Sequence, residues 1–407
     1  MTITDKTILL LGGSAQQVVA IDKANELGYR TVLCDYLPDN PGKCHADSFH
    51  LVSTTDREAV LRVAIEEEVD GVVAYASDPA APTAAYVSEC LGLPGIPYKT
   101  AQVFCEKQLF RQFLKEHNFN VPDAVPVFFS QSINLSDYAK MKLPLIVKPT
   151  DSSGSKGVTV IRNLSYLNEA LVEAMQYSRN GIGIVEEFIE RDHPHVIEAE
   201  IFVVQGTVSS WGLINSIRDD SSNPLLPAGY TLPIDLSEKR LNIVKSEIAR
   251  LIKESGIVDG AINIEMIIDK QNDLYFLDAG PRNGGNMLPD FISMASGKDI
   301  IAATLHTAMG ETNYVDVAFD GISGGCWGLE VLHSSKAGVF QGVAYSDIAK
   351  TYLVREEVQL TKGELVKPFE RCNDLVGLSF FKFPTTEDRD AVMLTPDGCA
   401  KVLLKSS

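Results

Sequence analysis

The stretch Tyr275 to Asn286, YFLDAGPRNGGN, gathers residue types that do chemistry. Asp278 sits in a short apolar run. Arg282 follows four residues later, after Pro281, and Gly284 and Gly285 lie between Asn283 and Asn286. Upstream, AINIEMIID (261–269) is a second apolar run with one acid inside it, Glu265. The two runs, separated by KQND, read as a β-hairpin. If it closes with Asp269 opposite Leu274, Glu265 falls opposite Asp278. Directly opposed side chains stand about 5 Å apart, where like charges repel. A slip of two residues keeps both on one face, because faces alternate along a strand. Two carboxylates placed together in an apolar hairpin call for a cation. Hard oxygen donors suit Mg²⁺ or Mn²⁺, with phosphates completing the shell. The plain alternative is that one acid points to solvent or pairs with Arg282.

Other chemistry is spread upstream. LPLIVKP (143–149) is an apolar strand ending in Lys148, which either snorkels or meets an anion. The loop DSSGSKG (151–157) follows, and its small residues let backbone N–H groups approach phosphate oxygens. Lys107 lies on a helix over 101–117 among Phe104, Leu109, Phe113 and Leu114, where a lysine is ordinarily just solvated. In the strand GIVEEFIE (183–190) one of Glu186 and Glu187 must face inward unless the strand is an edge. Glu198 and Glu200 share one face of the strand at 196–204. Arg218 could hold a substrate carboxylate or form a surface salt bridge with Asp219 or Asp220.

The elements that must position these residues alternate first. TILLLGG (7–13), TVLCD (31–35) and DGVVAY (70–75) read as strands, with helices at 15–28, 56–68 and 82–92. That pattern predicts an open α/β sheet with ligands at the carboxyl ends of its strands. LGLPGIPY (91–98) reads as a boundary. Further strands are expected at 158–161 and helices at 165–178 and 237–256, with a proline-rich loop over 218–235.

The formal net charge of -18, with no basic run, argues against nucleic acid. No apolar run approaches the roughly 18 residues of a membrane span. The start, MTITDKTILLLGG, lacks a signal peptide's long apolar stretch. A soluble cytoplasmic protein is expected. The seven cysteines are scattered and form neither a zinc pattern nor a disulfide framework. Gly297-Lys298 is followed by Asp299, so no Walker loop is present, and the loop after the first strand lacks the third glycine of a dinucleotide fingerprint. His193 and His195 read as a solvated loop.

The order of these features resembles the ATP-grasp superfamily, in the style of its carboxylate–amine ligases: amino-acid ligases and biotin-carboxylase-like and carbamoyl-phosphate-synthase-like enzymes. The likeness covers about residues 100 to 310. It implies a mixed α/β and α+β chain. Residues 1–98 would form a Rossmann-like domain. Residues 99–310 would form the ATP-grasp fold, two α+β subdomains clasping ATP, with a lid at about 143–188. Residues 311–407 would form a β-rich C-terminal extension packed on it. It also implies an ATP- and Mg²⁺-dependent ligase that activates a small-molecule carboxylate as an acyl phosphate and joins it to an amine, with a homodimer left open. Lys107 and Lys148 would hold the phosphates. Ser153, Gly154, Ser155 and Gly157 would form the lid loop. Glu186, Glu187, Phe188 and Ile189 would meet the adenine, and Glu200, favoured over Glu198, the ribose. Glu265 and Asp278 would hold the metal. Arg282 would face the transferred phosphoryl group or a substrate carboxylate and, with Lys148 and Asn286, would be catalytic. Arg218, Asn283, Gly284 and Gly285 would meet substrate.

Two departures stand out. The family usually carries Glu-x-Asn-Pro-Arg where this chain has Asp278, Gly280, Pro281 and Arg282. Gly280 removes an oxygen that normally touches a second metal. Asn283 or Asn286 stands in, or water does, or the second metal is weak. A bicarbonate-phosphorylating enzyme and a non-catalytic ATP sensor are the rival readings.

Overall fold

The computed structural model describes residues 6–130, 134–219, 222–322, 324–395 and 399–405. Asp220, one of the sequence candidates for pairing with Arg218, lies outside them. The first four strands are β1 (Thr7–Leu11), β2 (Arg30–Asp35), β3 (Ser48–Leu51) and β4 (Gly71–Val73), with helices α1 (Val18–Glu26), α2 (Arg57–Glu66) and α3 (Ala81–Leu91) between and after them. They form a parallel sheet in the order β3-β2-β1-β4. All five residues of β1 are buried, as a strand covered on both faces requires. Leu9 and Leu11 pack with Val60 and Val87, while Ile8 and Leu10 pack with Ile21 and Leu305. Sequence reasoning does not find β3, because SFHL carries little apolar signal.

The helix expected over 101–117 is two helices. α4 (Tyr98–Cys105) and α5 (Lys107–Glu116) meet at Glu106, whose backbone is extended at φ -115° and ψ 109°. Lys107 is therefore the first residue of a helix, and its N–H donates to Thr150 O at 2.9 Å.

A small antiparallel sheet follows: β5 (Ala124–Phe128), β6 (Leu145–Pro149), β7 (Thr159–Ile161) and β8 (Ile182–Glu187), in the order β5-β8-β6-β7. Helix α6 (Leu167–Tyr177) covers its back face through Leu167, Leu171 and Ala174, packed on Leu145, Val147 and Val185. The opposite face is left for Ile146, Lys148 and Glu186.

The large sheet begins with β9 (Val196–Val204), β10 (Thr207–Arg218) and β11 (Pro227–Leu232). β11 lies inside the segment read as a proline-rich loop. Its proline is the first residue of the strand, where no ladder hydrogen bond need be lost. Helix α7 (Glu238–Ser255) is capped by the Ser237 side chain and ends at Gly256 in the left-handed region, φ +71°. The hairpin is β12 (Gly260–Ile268) and β13 (Leu274–Gly280), and then come α8 (Leu288–Ser296) and α9 (Ile300–Ala308). The last strands are β14 (Cys326–Leu332), β15 (Gly338–Tyr345), β16 (Leu353–Val358), β17 (Leu365–Val366), β18 (Gly377–Phe383) and β19 (Ala400–Lys405). The sheet order is β13-β12-β9-β10-β11-β14-β18-β16. Three strands from beyond residue 310 thus extend the same sheet, and β15, β17 and β19 form a separate antiparallel sheet in the order β17-β15-β19. Among the described residues, no helix is long and apolar enough to cross a membrane.

Candidate active site

The exposed face of the small sheet looks across a cleft at the β12–β13 hairpin. Glu186 and Lys148 lie on adjacent strands of one wall, with Ile146 opposite Glu186 in the β6–β8 pairing. Lys148 Nζ donates to Glu186 Oε2 at 2.6 Å. Arg111, on α5, donates from Nε to Glu186 Oε1 at 2.7 Å and from Nη2 to Leu277 O at 2.8 Å. Burial alone would raise the Glu186 pKa, but Arg111 and Lys148 outweigh it and hold it at about 2. Burial also lowers the Lys148 pKa, against the pull of Glu186. Two buried cations therefore share one carboxylate. The surplus positive charge needs an anion.

Sequence reasoning does not single out Arg111. Its signal was its spacing: it lies four residues after Lys107, on the same face of the helix. Lys107 Nζ donates to Ser152 O at 2.9 Å and lies 3.1 Å from Asp278 Oδ2, bridging the two walls. It is not the solvated lysine an isolated helix would suggest, for its residue is 8% exposed.

Glu265 does pair with Asp278, though not by the expected route. The hairpin closes with Ile268, not Asp269, opposite Leu274. That register alone would put Leu277 opposite Glu265. A bulge between Glu265 and Met266 absorbs one residue of β13 and brings Asp278 into place. Both carboxylates keep a face open to the cleft, 33% and 40% exposed. Two hard oxygen donors beside an anion site fit one divalent cation. Among the described residues no cluster of three or more His, Cys, Asp or Glu side chains suited to a metal is present, so other donors must complete its shell.

Arg218 lies 3.6 Å by Nη2 from Glu265 Oε2 and is almost wholly buried. It is not in a surface bridge with Asp219, whose Oδ2 lies 3.1 Å from His333 Nε2. Arg218 Nη1 and Glu198 Oε2 are buried without partners among the described residues. Glu198 lies opposite Glu265 in the β9–β12 pairing. Burial, and then the charge of Glu265, raise its pKa to about 7.

Other expected residues stand elsewhere. Glu200 does not line the cleft. Its Oε2 accepts from Gly284 N at 2.7 Å and from Asn263 Nδ2 at 3.3 Å, and its Oε1 from Asn283 Nδ2 at 3.3 Å. Gly284 comes so close that a Cβ there would lie 2.7 Å from Glu200 Oε2. Glu200 is thus the anchor of the 283–286 loop, not a ribose partner. Asn283 is 1% exposed, and Asn286 donates from Nδ2 to Tyr230 Oη at 3.0 Å, so both are turned into the protein rather than toward the hairpin acids. Asn286 N donates at 3.0 Å to Gln16 Oε1, in the turn after β1, and a Cβ at Gly285 would lie 3.6 Å from the same oxygen.

Arg282 is clamped by Asp78, Nε to Oδ1 at 2.7 Å and Nη2 to Oδ2 at 2.6 Å, and does not line the cleft. Ser153, Gly154 and Ser155 do line it, with Ser155 in the left-handed region at φ +56°. Gly157 instead packs on α6, where a Cβ would lie 2.8 Å from the Tyr177 ring. The Glu187 carboxylate accepts from Lys142 N at 2.7 Å, and its N–H donates to Asp123 O, so that N–H is not offered to a ligand. Phe188 and Ile189 line the apolar end of the cleft with Ile146, Ile267 and Leu277. His193 is buried against Asn215 Oδ1 at 3.2 Å, contrary to the solvated loop expected.

The family model described as "Carbamoyl-phosphate synthase L chain, ATP binding domain" matches residues 106–314, just over half the chain. The chain belongs to this family. The carbamoyl-phosphate-synthase-type domain carries the clasped sheets and hairpin described above, which is the ATP-grasp arrangement the sequence resembles. A carbamoyl phosphate synthase large chain from Thermotoga neapolitana is 24% identical over 313 residues, 72% of this chain and 28% of the relative. This chain therefore matches well under two thirds of that relative's length. An L-amino acid ligase from Bacillus licheniformis superposes over 98% of this chain and 99% of its own, with a TM-score of 0.78 and 20% identity. The biotin carboxylase domain dimer of Hydrogenobacter thermophilus 2-oxoglutarate carboxylase, in complex with MgADP, ADP and bicarbonate, covers 99% of this chain and 92% of its own, with a TM-score of 0.74 and 16% identity. At these identities the likeness to the two structures is one of fold.

The large sheet of this chain contains a buried acid with a pH consequence. Burial raises the Glu200 pKa from 4.5 to about 8. The folded state then holds a proton that the unfolded chain loses at lower pH. Stability is fully present below the unfolded value and falls as pH rises through the folded one, by about 1.4 kcal/mol for each pH unit that separates the two values. Glu198 adds to the fall in an overlapping window. Thermal unfolding should show a midpoint that drops between about pH 4.5 and 8, and Glu200→Gln should flatten that drop. A midpoint that rises over this range would refute the assignment.

Proposed function

We propose that the protein is an ADP-forming, ATP-dependent ligase that joins a carboxylate to an amine. One observation carries this reading. A wall with surplus positive charge, Lys148 and Arg111 around Glu186, faces Glu265 and Asp278 across a cleft that Lys107 bridges. That is an arrangement for moving a phosphoryl group by positioning and charge neutralisation, with no protein nucleophile.

A carboxylate resists attack by an amine because oxide is a poor leaving group. Transfer of the γ-phosphoryl group to a carboxylate oxygen gives an acyl phosphate and ADP. The amine nitrogen then attacks the acyl carbon, phosphate departs with the carbon–oxygen bond pair, and the amine gives up a proton. Lys107, Lys148 and the backbone of Ser153–Ser155 would hold the phosphates, and Ile146, Phe188, Ile267 and Leu277 would enclose the adenine. Mg²⁺ held by Glu265 and Asp278 would supply charge neutralisation on the phosphate oxygens when bound. Among the described residues, Arg218 has a buried donor without a partner, which suits a carboxylate. The likeness to an amino-acid ligase favours an amino-acid-like acceptor. Both acids needed for the metal are present, which weighs against a non-catalytic sensor.

The test is an ADP-release assay over carboxylates crossed with amines, with hydroxylamine to trap the acyl phosphate. ADP and phosphate are expected only when carboxylate and amine are supplied together. AMP and pyrophosphate would overturn the mechanism. ADP release dependent on bicarbonate and not on amine would move the protein to the bicarbonate-phosphorylating class.

A further inference from the structure

Gly280 is the residue at which this chain leaves its family's usual pattern, and the structure shows what occupies the room it vacates. Gly280 lies two residues beyond Asp278 on β13 and so on the same face, opposite Asn263 of β12. Its φ is not in the left-handed region, so glycine is there for space and not for backbone conformation. A Cβ at 280 would lie 2.4 Å from Asp78 Oδ1 and 2.8 Å from the central carbon of the Arg282 guanidinium. The space beside the metal carboxylates is therefore filled by an ion pair.

That pair is fixed from every side. Arg282 gives Nε and Nη2 to the two oxygens of Asp78, at 2.7 and 2.6 Å, and Nη1 to Asn283 O at 2.9 Å. Asp78 comes from a different sheet, on the turn between β4 and α3. Two residues before it, Ala76 sits in the left-handed region at φ +51°. A non-glycine residue there is strained, and such strain persists where the surroundings hold the chain to one geometry. Gln17 donates from Nε2 to Tyr75 O at 2.8 Å and ties the turn to β1.

We infer that the Asp78–Arg282 pair takes the place of a second cation's ligand, so that the cleft holds one divalent cation with its nucleotide and Asp78 is the positioning residue for Arg282. This rests on the nucleotide-binding reading proposed above. Three features agree. No side-chain oxygen can reach from position 280. The room a side chain would take there is filled by a carboxylate and a guanidinium already paired with each other. Asn283 and Asn286, the substitutes the sequence offers, are held by their amide N–H groups on Glu200 and Tyr230, and neither lines the cleft. Through Arg282, Asp78 also fixes the end of β13 and the start of the 283–286 loop, so its influence on turnover is indirect.

The test counts metal directly. Mn²⁺ is titrated against the full chain with a non-hydrolysable ATP analogue, and bound Mn²⁺ is counted by electron paramagnetic resonance. One Mn²⁺ per chain is expected, and two spin-coupled Mn²⁺ would overturn the inference. No Mn²⁺ bound with the analogue would instead overturn the nucleotide reading, and the inference with it. Asp78→Asn and Gly280→Ala should each lower kcat at least about tenfold, roughly 1.4 kcal/mol of barrier, and lower the unfolding midpoint by disturbing a buried ion pair, while analogue affinity and Mn²⁺ count of the folded protein hold. The double variant should be no worse than the poorer single one, because both act through Arg282. Additive losses, or an equal loss of analogue affinity, would refute the positioning role.

Discussion

Replacing Glu186 with alanine should lower the free energy of unfolding by about 3–5 kcal/mol, the cost of leaving buried charge uncompensated. The reason is the sharing of one carboxylate by two cations. Arg111 Nε at 2.7 Å and Lys148 Nζ at 2.6 Å both lose their anion, and both side chains are at least nine-tenths buried. Arg111 keeps Leu277 O as an acceptor, but a carbonyl offers no charge. A whole domain is stable by only about 5–15 kcal/mol, so the variant should show an obvious shift in a urea unfolding curve. Its neighbour is the control. Glu187→Ala removes an acceptor of one backbone N–H at the rim, which should cost about 1 kcal/mol. Sulfate or phosphate should recover part of the Glu186→Ala loss by supplying the missing anion. Equal losses for the two variants would show that the buried cations do not depend on Glu186.

Asp278→Asn should cut ADP release by about 10²–10³-fold, the usual effect of removing one preorganised charge contact from a transition state. It should do so without weakening metal-free nucleotide binding. Asp278 is the acid nearest Lys107, at 3.1 Å, so removing its charge frees that lysine for phosphate. The expected signature is therefore split: kcat falls, the Mg²⁺ requirement rises, and nucleotide affinity without metal is unchanged or tighter. An unchanged kcat would remove Asp278 from the metal site. A loss of metal-free affinity would show that the variant had damaged the cleft itself.

Much of this was legible in the sequence where local pattern and tertiary context agree. TILLL reads as a covered parallel strand and is one. VIEAEIFVV has the same bounds in the structure as in the sequence reading. The pairing of Glu265 with Asp278 was reached from the wrong closing pair: Asp269 opposite Leu274 would match their distances from the turn, whereas Ile268 pairs with Leu274 and a bulge supplies the difference. What failed did so for physical reasons. Glu106 breaks a helix whose apolar spacing runs through it, because only the docking of Lys107 N–H on Thr150 O selects the break. β11 was hidden among prolines: Pro227 opens the strand, where its missing N–H costs least, and Pro224 and Pro233 lie outside it. Arg282 looked like a phosphate partner because nothing local announces that Asp78, 204 residues earlier, holds it. Arg111 and Asp78 have no motif of their own. Each matters only through a contact made by folding. Glu200 carried no sign of which way its carboxylate would turn.

The bulge in the hairpin bears on how such a site can be inherited. In a strictly regular hairpin, gaining or losing one residue in the turn throws every later side chain to the wrong face. Here one residue of β13 is already out of the ladder between the turn and the acids. Between the turn and the bulge Leu274 and Phe276 face the core, while beyond it Asp278 faces the cleft, so drawing Leu277 back into the ladder to absorb a deletion in the KQND turn would turn both apolar side chains out of the core. The length of the turn is thus held by the core contacts of Leu274 and Phe276 on one side of the bulge and by the two opposed carboxylates on the other.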